Sequence, residues 1–355
     1  MIYQDEHVNH ATDDVQSFLA RVATAFALKP FVPHPAFKGG DAQTLAAYAW
    51  PRTYRLQRPP QDEERLFEVE PGVKVLAHCR WQNDRRKHAT VVIWHGMEGS
   101  TNSIYMIATA DKAFRAGFNV VRVNYRNCGG TEHLTPTLYH GGLTEDLRVV
   151  VKQLIENDGL NRIFLLGFSL GGNMVLKLAG EYGENAPSEI VAACVVSPSV
   201  DLQATSELIL RRRNWLYHKQ FVHSMKIRIR LKQKLFPELY DLSALPHIRT
   251  LREFDDAITS VASGFLNCDD YYYRASSIRV VANIRIPTLV IHAKDDPFIP
   301  FEPLRHPDFS DNPYILLLAT ERGGHVAFIS SKTNEDRFWA ENRAVEFFEL
   351  ATKST

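Results

Sequence analysis

The chain is poor in the features that hold together small or specialised folds. Its 355 residues include four cysteines, Cys79, Cys128, Cys194 and Cys268. They are scattered, with no Cys-x-x-Cys pair, so neither a disulfide framework nor a cysteine zinc site is indicated. Reduced thiols in a cytoplasmic setting are the expectation, and Cys194, inside an apolar run, reads as an inert core residue. Neither sign of charge is in excess. Lys plus Arg and Asp plus Glu both number 41, so no overall basic field points to nucleic acid. No uninterrupted apolar stretch of about 18 residues occurs, so no membrane-spanning helix is expected. Residues 1–15 lack the basic-then-apolar order of a secretory signal. There is no Gly-x-x-x-x-Gly-Lys-[Ser/Thr] loop and no His-Glu-x-x-His helix, and His218 and His223 do not have the spacing of the latter. Nucleotide hydrolysis and zinc chemistry therefore have no support. Internal repeats and low-complexity tracts are also missing.

What is present is an apolar content of 45%, ordinary for a globular protein. The chain is long enough to bury roughly 75% of its unfolded surface. Residues 1–64 read as an extension that packs on the core, with a short helix over Val15–Leu28 before Pro30, Pro33, Pro35 and Gly39-Gly40 break the pattern. A hairpin follows: Leu66–Val69, a Pro71-Gly72 turn, then Val73–Cys79 with alternating polarity. From Thr90 the pattern becomes strand, helix, strand, helix. Val91–Trp94, Val120–Val123, Arg162–Phe168 and Ile190–Val196 are short apolar runs of the kind buried on both faces. Ile104–Ala116 and Leu143–Glu156 are helical. The alternation stops after Pro198 and resumes with strands at Pro287–His292 and Tyr314–Leu318 and a final helix over Asp336–Ala351. Such alternation predicts an α/β fold with a mostly parallel central sheet and helices on both faces. Residues 65–198 and 282–355 form the core, and 199–281 read as an inserted helical cap.

The most informative stretch is Gly167-Phe168-Ser169-Leu170-Gly171, which lies between the apolar run Ile163–Leu166 and a helical segment. A strand, a sharp turn and a helix meeting at one serine is the setting of a nucleophile elbow. The glycines fit because the turn brings backbone and neighbours too close for a Cβ. A serine hydroxyl needs a base, and the base needs an orienting acid. In the chain order serine, acid, histidine, the acid is expected after the first strand beyond the insertion, where Asp295-Asp296-Pro297 stands. Asp296 is the candidate and Asp295 the alternative. The histidine is expected after the last strand, where Glu321-Arg322-Gly323-Gly324-His325 offers His325. Two backbone N–H groups must hold the oxyanion. Leu170, just after the serine, supplies one. Met97, in the His95-Gly96-Met97-Glu98-Gly99-Ser100 loop after the early strand, supplies the other. His95 and Glu98 read as loop-shaping residues.

Taken together, His95–Ser100, Asn124-Tyr125-Arg126-Asn127-Cys128-Gly129-Gly130, Tyr139–Leu147 and Gly167–Gly172 resemble the YheT-type branch of α/β-hydrolases, which is related to the ABHD-type lipid hydrolases. Phe254–Thr259 and Tyr271–Ser276 in the insertion, the segments around Asp296 and His325, and Gln43-Thr44 in the extension fit the same pattern. The resemblance covers the chain from about Pro33 onward. It implies an α/β-hydrolase fold with a cap and esterase- or lipase-like action on carboxylic esters. It also implies Ser169, Asp296 and His325 as the triad and no metal or organic cofactor. The expected partner is a small acyl ester or lipid. Asn127, where the branch commonly has glycine, tolerates left-handed backbone. Asp41 stands where histidine is common. An acyltransferase or a thioesterase would use the same triad, and a binding protein could keep the fold without turnover.

Residues 211–236 carry nine Lys or Arg and no acid, interleaved with Trp215, Tyr217, Phe221 and Phe236. Two readings follow: a cap face that makes peripheral contact with anionic lipid, or a solvated helix. The balanced total charge favours the second. Tyr271-Tyr272-Tyr273 are expected to pack the cap on the core, and His140 to make a structural hydrogen bond.

Overall fold

The computed structural model describes residues 3–50, 62–331 and 334–353. Residues 51–61 of the expected extension lie outside them. Among the described residues two helices precede the sheet, α1 (Tyr3–Ala27) and α2 (Gly40–Ala49). The first begins at Tyr3 rather than Val15. Its leading turns lack an apolar stripe, but no proline or glycine precedes Pro30 to stop a helix.

The hairpin forms as β1 (Glu63–Glu70) and β2 (Val73–Arg80). Alternating units follow: β3 (Thr90–Trp94), α3 (Ile104–Arg115), β4 (Asn119–Val123), α4 (Thr144–Glu156), β5 (Ile163–Phe168), α5 (Leu170–Tyr182) and β6 (Ile190–Val196). Between β6 and the next strand lie α6 (Leu202–Leu210), α7 (Trp215–Leu235), α8 (Leu251–Phe254), a π-helical turn (Asp255–Ser260) and α9 (Cys268–Ala275). The chain ends with β7 (Thr288–Ala293), α10 (Pro307–Ser310), β8 (Ile315–Thr320) and α11 (Trp339–Thr352).

The strands form one sheet in the order β1-β2-β4-β3-β5-β6-β7-β8. Strand β2 runs antiparallel to both β1 and β4, and every pairing from β4 to β8 is parallel. Every residue of β3, β4, β5 and β7 is buried, as expected for strands covered on both faces. Side chains of period two divide between two cores. Val92, Trp94, Val121 and Leu165 join α4 and α5 on one face. Val91, Ile93, Phe164 and Leu166 join α1, α3 and α11 on the other. Phe18, Val22 and Phe26 of α1 belong to this second core, and Phe18 meets Phe347 of α11 with ring centroids 5.6 Å apart. The helices between β6 and β7 have their own apolar centre, in which Ile209, Val222, Ile229 and Phe254 pack against Phe298 and Ile299 from the loop after β7. The inserted segment thus rests on loops at the C-terminal ends of the parallel strands, where ligand sites of open α/β sheets lie.

Candidate active site

Ser169 sits between β5 and α5 with φ 54° and ψ −118°, a backbone state that costs a non-glycine residue energy and needs support. Support comes from both sides: the Ser169 N–H donates to Val196 O at 2.9 Å, and Asn173 N–H donates to Ser169 O at 3.1 Å. The glycines are required sterically. A Cβ on Gly167 would lie 2.3 Å from Gly171 O, and one on Gly171 would lie 2.6 Å from His95 O and from Trp94 O. A Cβ on Gly96 would lie 3.0 Å from Ser169 Cβ and 3.5 Å from Ser169 Oγ. The loop after β3 therefore runs close beside the elbow.

That loop is held by a network of hydrogen bonds. His95 is fully buried. Its Nε2 accepts from Tyr125 N–H at 3.2 Å, so Nδ1 carries the proton and donates to Gly96 O at 2.7 Å. Burial pushes its pKa down to about 3, which keeps the ring neutral. Gly96 N–H donates to Tyr105 Oη at 2.9 Å. Glu98, with φ 58°, accepts from Tyr139 Oη at 3.2 Å and from Arg228 of α7 at 3.1 Å, which fastens the inserted helix to this loop. Met97 N–H has no acceptor among the described residues. Leu170 opens α5, where leading N–H groups lack intrahelical partners.

Asp296 and His325 meet. His325 Nδ1 is 2.8 Å from Asp296 Oδ2, and the carboxylate side chain is wholly buried. The other carboxylate oxygen accepts from Phe298 N–H at 2.8 Å and Ile299 N–H at 3.0 Å. Burial alone would raise this carboxyl; the charge and hydrogen bond of His325 and the backbone donors outweigh it and hold the pKa below the usual aspartate value. The neighbouring Asp295 takes a different task. Its Oδ1 accepts from Gly324 N–H at 2.9 Å and shapes the histidine loop. With Nδ1 committed to Asp296, Nε2 is the nitrogen left for other chemistry. Ser169 and His325 line one cavity, with no hydrogen bond between them among the described residues.

The His325 loop is strained and braced. Gly324, Val326 and Phe328 all have positive φ. Val326 N–H donates to Ser197 Oγ at 3.2 Å. Further supports come from the N-terminal segment. His325 N–H donates to Thr44 Oγ1 at 2.9 Å, and Thr44 Oγ1 donates to Gly40 O at 2.7 Å. Gln43 grips Ile329 from both sides: Ile329 N–H donates to its Oε1 at 2.7 Å, and its Nε2 donates to Ile329 O at 3.1 Å. His34 N–H also donates to Ile329 O at 2.9 Å. A Cβ on Gly324 would lie 2.5 Å from Gly40 O, and one on Gly40 would lie 1.9 Å from Asp295 O. In the sequence, Gln43-Thr44 stand out only through the family resemblance. Nothing in their own spacing links them to His325.

The cavity has a volume of about 490 Å³. Gly96, Met97, Ser169, Leu170 and His325 line one end, and Phe221, Met225 and Ile229 of α7 form part of the cover. Most of the wall is apolar, interrupted by polar groups that include Glu98, Arg228 and Asp255. Asp255, from the π-helical turn, lines the cavity and accepts from Tyr272 Oη at 2.7 Å and Thr259 Oγ1 at 2.8 Å. Burial pushes its carboxyl up to about 6 against these hydrogen bonds. Tyr271 and Tyr272 are both buried and both touch the cavity, so they pack and line at once, whereas Tyr273 is exposed. The His140 Nδ1 accepts from Gly142 N–H at 3.2 Å. Asn127 has φ 64°, the left-handed backbone foreseen for it. Cys194 is buried in β6, where burial raises its thiol pKa.

Comparison with known proteins agrees with this fold. Residues 89–332 match the α/β-hydrolase fold family. An Escherichia coli protein designated YheT, named as a candidate esterase, is 31% identical over 316 residues, which is 88% of this chain and 91% of that one. A monoacylglycerol lipase of Saccharomyces cerevisiae is 30% identical over 259 residues, covering 71% of this chain. The chain spans only 57% of the length of that lipase. Among solved structures, the Pyrococcus furiosus esterase Pf2001 has the same fold, with a TM-score of 0.54 at 18% identity over 90% of this chain and 97% of that one.

Proposed function

Because this chain belongs to the α/β-hydrolase family, and within it to the YheT-type branch, we propose that it is a serine hydrolase of carboxylic esters with an apolar acyl part. The observation that carries the reading is the buried Asp296–His325 pair at 2.8 Å, which shares a mainly apolar cavity with a strained serine. His325 Nε2 takes the proton of Ser169 Oγ as the oxygen attacks the ester carbonyl. Asp296 fixes the tautomer with the proton on Nδ1 and stabilises the imidazolium that forms. The N–H groups of Leu170 and Met97 receive the oxyanion. Collapse of the tetrahedral intermediate expels the alcohol, which takes a proton from His325. Water, deprotonated by the same histidine, then releases the acid and restores Ser169. The missing Ser169–His325 hydrogen bond is compatible with this, since catalytic contacts often tighten only once substrate is bound.

Three kinds of evidence support the ester reading: the apolar cavity, the preorganised acid–base pair, and relatives named as esterases and lipases. The test is chemical. A fluorophosphonate should label the wild-type protein at Ser169 and leave Ser169→Ala untouched, with p-nitrophenyl ester hydrolysis lost in parallel. Folded wild-type protein that neither labels nor hydrolyses any ester of a short-to-long acyl series would overturn the proposal.

A further inference from the structure

Helix α7 has two unlike faces. The inner one is that of a packed helix: His218, Val222 and Ile229 are buried, and Phe221, Met225 and Ile229 line the cavity. The outer one is not that of a solvated helix. Leu216 is 71% exposed, Ile227 52%, and Leu231 and Leu235 lie in the same stripe. Trp215, just before Leu216, is 52% exposed, and Leu239 is exposed just beyond the helix. Positions 216, 227, 231 and 235 recur at helical spacing, and a helix of this length runs for about 30 Å.

Between these apolar side chains stand cations without counter-charges. Lys219, Arg230 and Lys234 are exposed on the same face, and Arg211 and Arg212 lead into it. None has an ion-pair partner among the described residues. Lys219 lies over the Trp215 ring at 4.1 Å. No acid occurs from residue 211 to 236, so the neutral total charge of the chain does not neutralise this face. The cavity reaches the surface beside it. Tyr48 of α2 and Gln220 of α7 are exposed and line the cavity. Arg213 reaches across to Asp41 of α2 at 3.1 Å, and Leu45 of α2 adds another exposed apolar side chain.

An occupant of this face must cover apolar side chains and supply negative charge. A second copy supplies the first but not the second, because a twofold contact would set the cation stripe against itself. A polyanion supplies charge but leaves the leucines wet. An anionic bilayer does both: exposed apolar groups enter the headgroup boundary while Lys and Arg meet the lipid phosphates. Tryptophan with a neighbouring cation suits such a boundary. We propose that the outer face of α7, with the exposed residues of α2, is a docking surface for anionic phospholipid bilayers that brings the cavity mouth to the lipid. The docking step is independent of Ser169 chemistry; its link to turnover rests on the ester-hydrolase reading.

The experiment is co-sedimentation with phosphatidylcholine vesicles, with and without phosphatidylglycerol. It uses the full chain carrying Ser169→Ala, so that binding is read without turnover. Binding should require phosphatidylglycerol and weaken with salt. The triple variant Lys219→Gln, Arg230→Gln, Lys234→Gln should bind roughly a hundredfold more weakly, at about fivefold per charge. Leu216→Ser with Ile227→Ser should also lose binding. In the Ser169 background, both variants should hydrolyse a short soluble ester at the wild-type rate and lose activity only on esters presented in anionic vesicles. Equal sedimentation with neutral vesicles, or full binding by the charge variant, overturns the proposal. So does a wild-type dimer that Leu216→Ser, Ile227→Ser dissociates, if no vesicle binding accompanies it. Binding without any hydrolysis would instead leave docking standing and remove the esterase reading.

Discussion

Replacing Thr44 with valine removes one oxygen and nearly preserves side-chain volume. That oxygen is buried, accepts from His325 N–H at 2.9 Å and donates to Gly40 O at 2.7 Å. In the valine variant the His325 N–H has no replacement acceptor, and a buried donor without one costs about 1–3 kcal/mol. The cost falls on a loop that already has four residues at positive φ, Gly323, Gly324, Val326 and Phe328. The loop relieves it by moving, and the imidazole moves with it. If the whole cost appears as lost transition-state stabilisation, kcat falls about 5- to 150-fold, at tenfold per 1.36 kcal/mol. KM should change little, because Thr44 does not line the cavity. Thr44→Ser keeps the hydroxyl and should keep most of kcat. The assay is steady-state hydrolysis of a soluble ester, with thermal melting run alongside. A valine variant with wild-type kcat and a lower melting temperature would refute the reasoning, by showing that Thr44 stabilises the fold without positioning His325.

Asp296→Asn should fold and lose on the order of 10³–10⁴-fold in kcat, because the tautomer is no longer fixed; a loss under tenfold would move the orienting role to Asp295. The Asp296 carboxyl is held below its usual pKa. Its contribution to stability is therefore full above the unfolded value of about 3.9 and is lost as pH falls through the folded value, which acid titration of wild type against Asp296→Asn would reveal. Asp255 works in the opposite sense. With its carboxyl pushed up to about 6, ionisation opposes folding, and the penalty grows as pH rises from the unfolded value to about 6, reaching roughly 3 kcal/mol. Urea midpoints of Asp255→Asn should therefore gain on wild type over that interval, and parallel pH profiles would refute the shift.

Much of this architecture is legible in the sequence. Val91–Trp94 and Ile163–Phe168 announce doubly covered strands because a strand with both faces buried needs apolar residues at consecutive positions. The elbow announces itself through close contacts that only glycine permits. The choice between Asp295 and Asp296 was not legible. The two are neighbours, and only the path of the loop after β7 decides which carboxylate meets His325 and which meets Gly324. The support from Thr44 spans 281 positions and that from Gln43 spans 286, and contacts so distant leave no periodic trace in the chain. Arg228 is similar: within its own segment it is one cation among many, yet it is the one fastened to Glu98 across 130 positions. The start of α1 at Tyr3 leaves no such trace either, because its first turns lack a clear apolar stripe.

The bond between Thr44 and the His325 loop joins an early stretch of the polypeptide to a late one. During synthesis the ribosome delivers α2 long before residues 323–330 emerge, so α2 must wait with its hydroxyl and amide groups facing water. Ser169 and the sheet around it can be assembled while the histidine is still inside the exit tunnel. On the proposed mechanism, competence for chemistry is then a late property of the nascent chain, gained only when the His325 loop reaches the waiting α2.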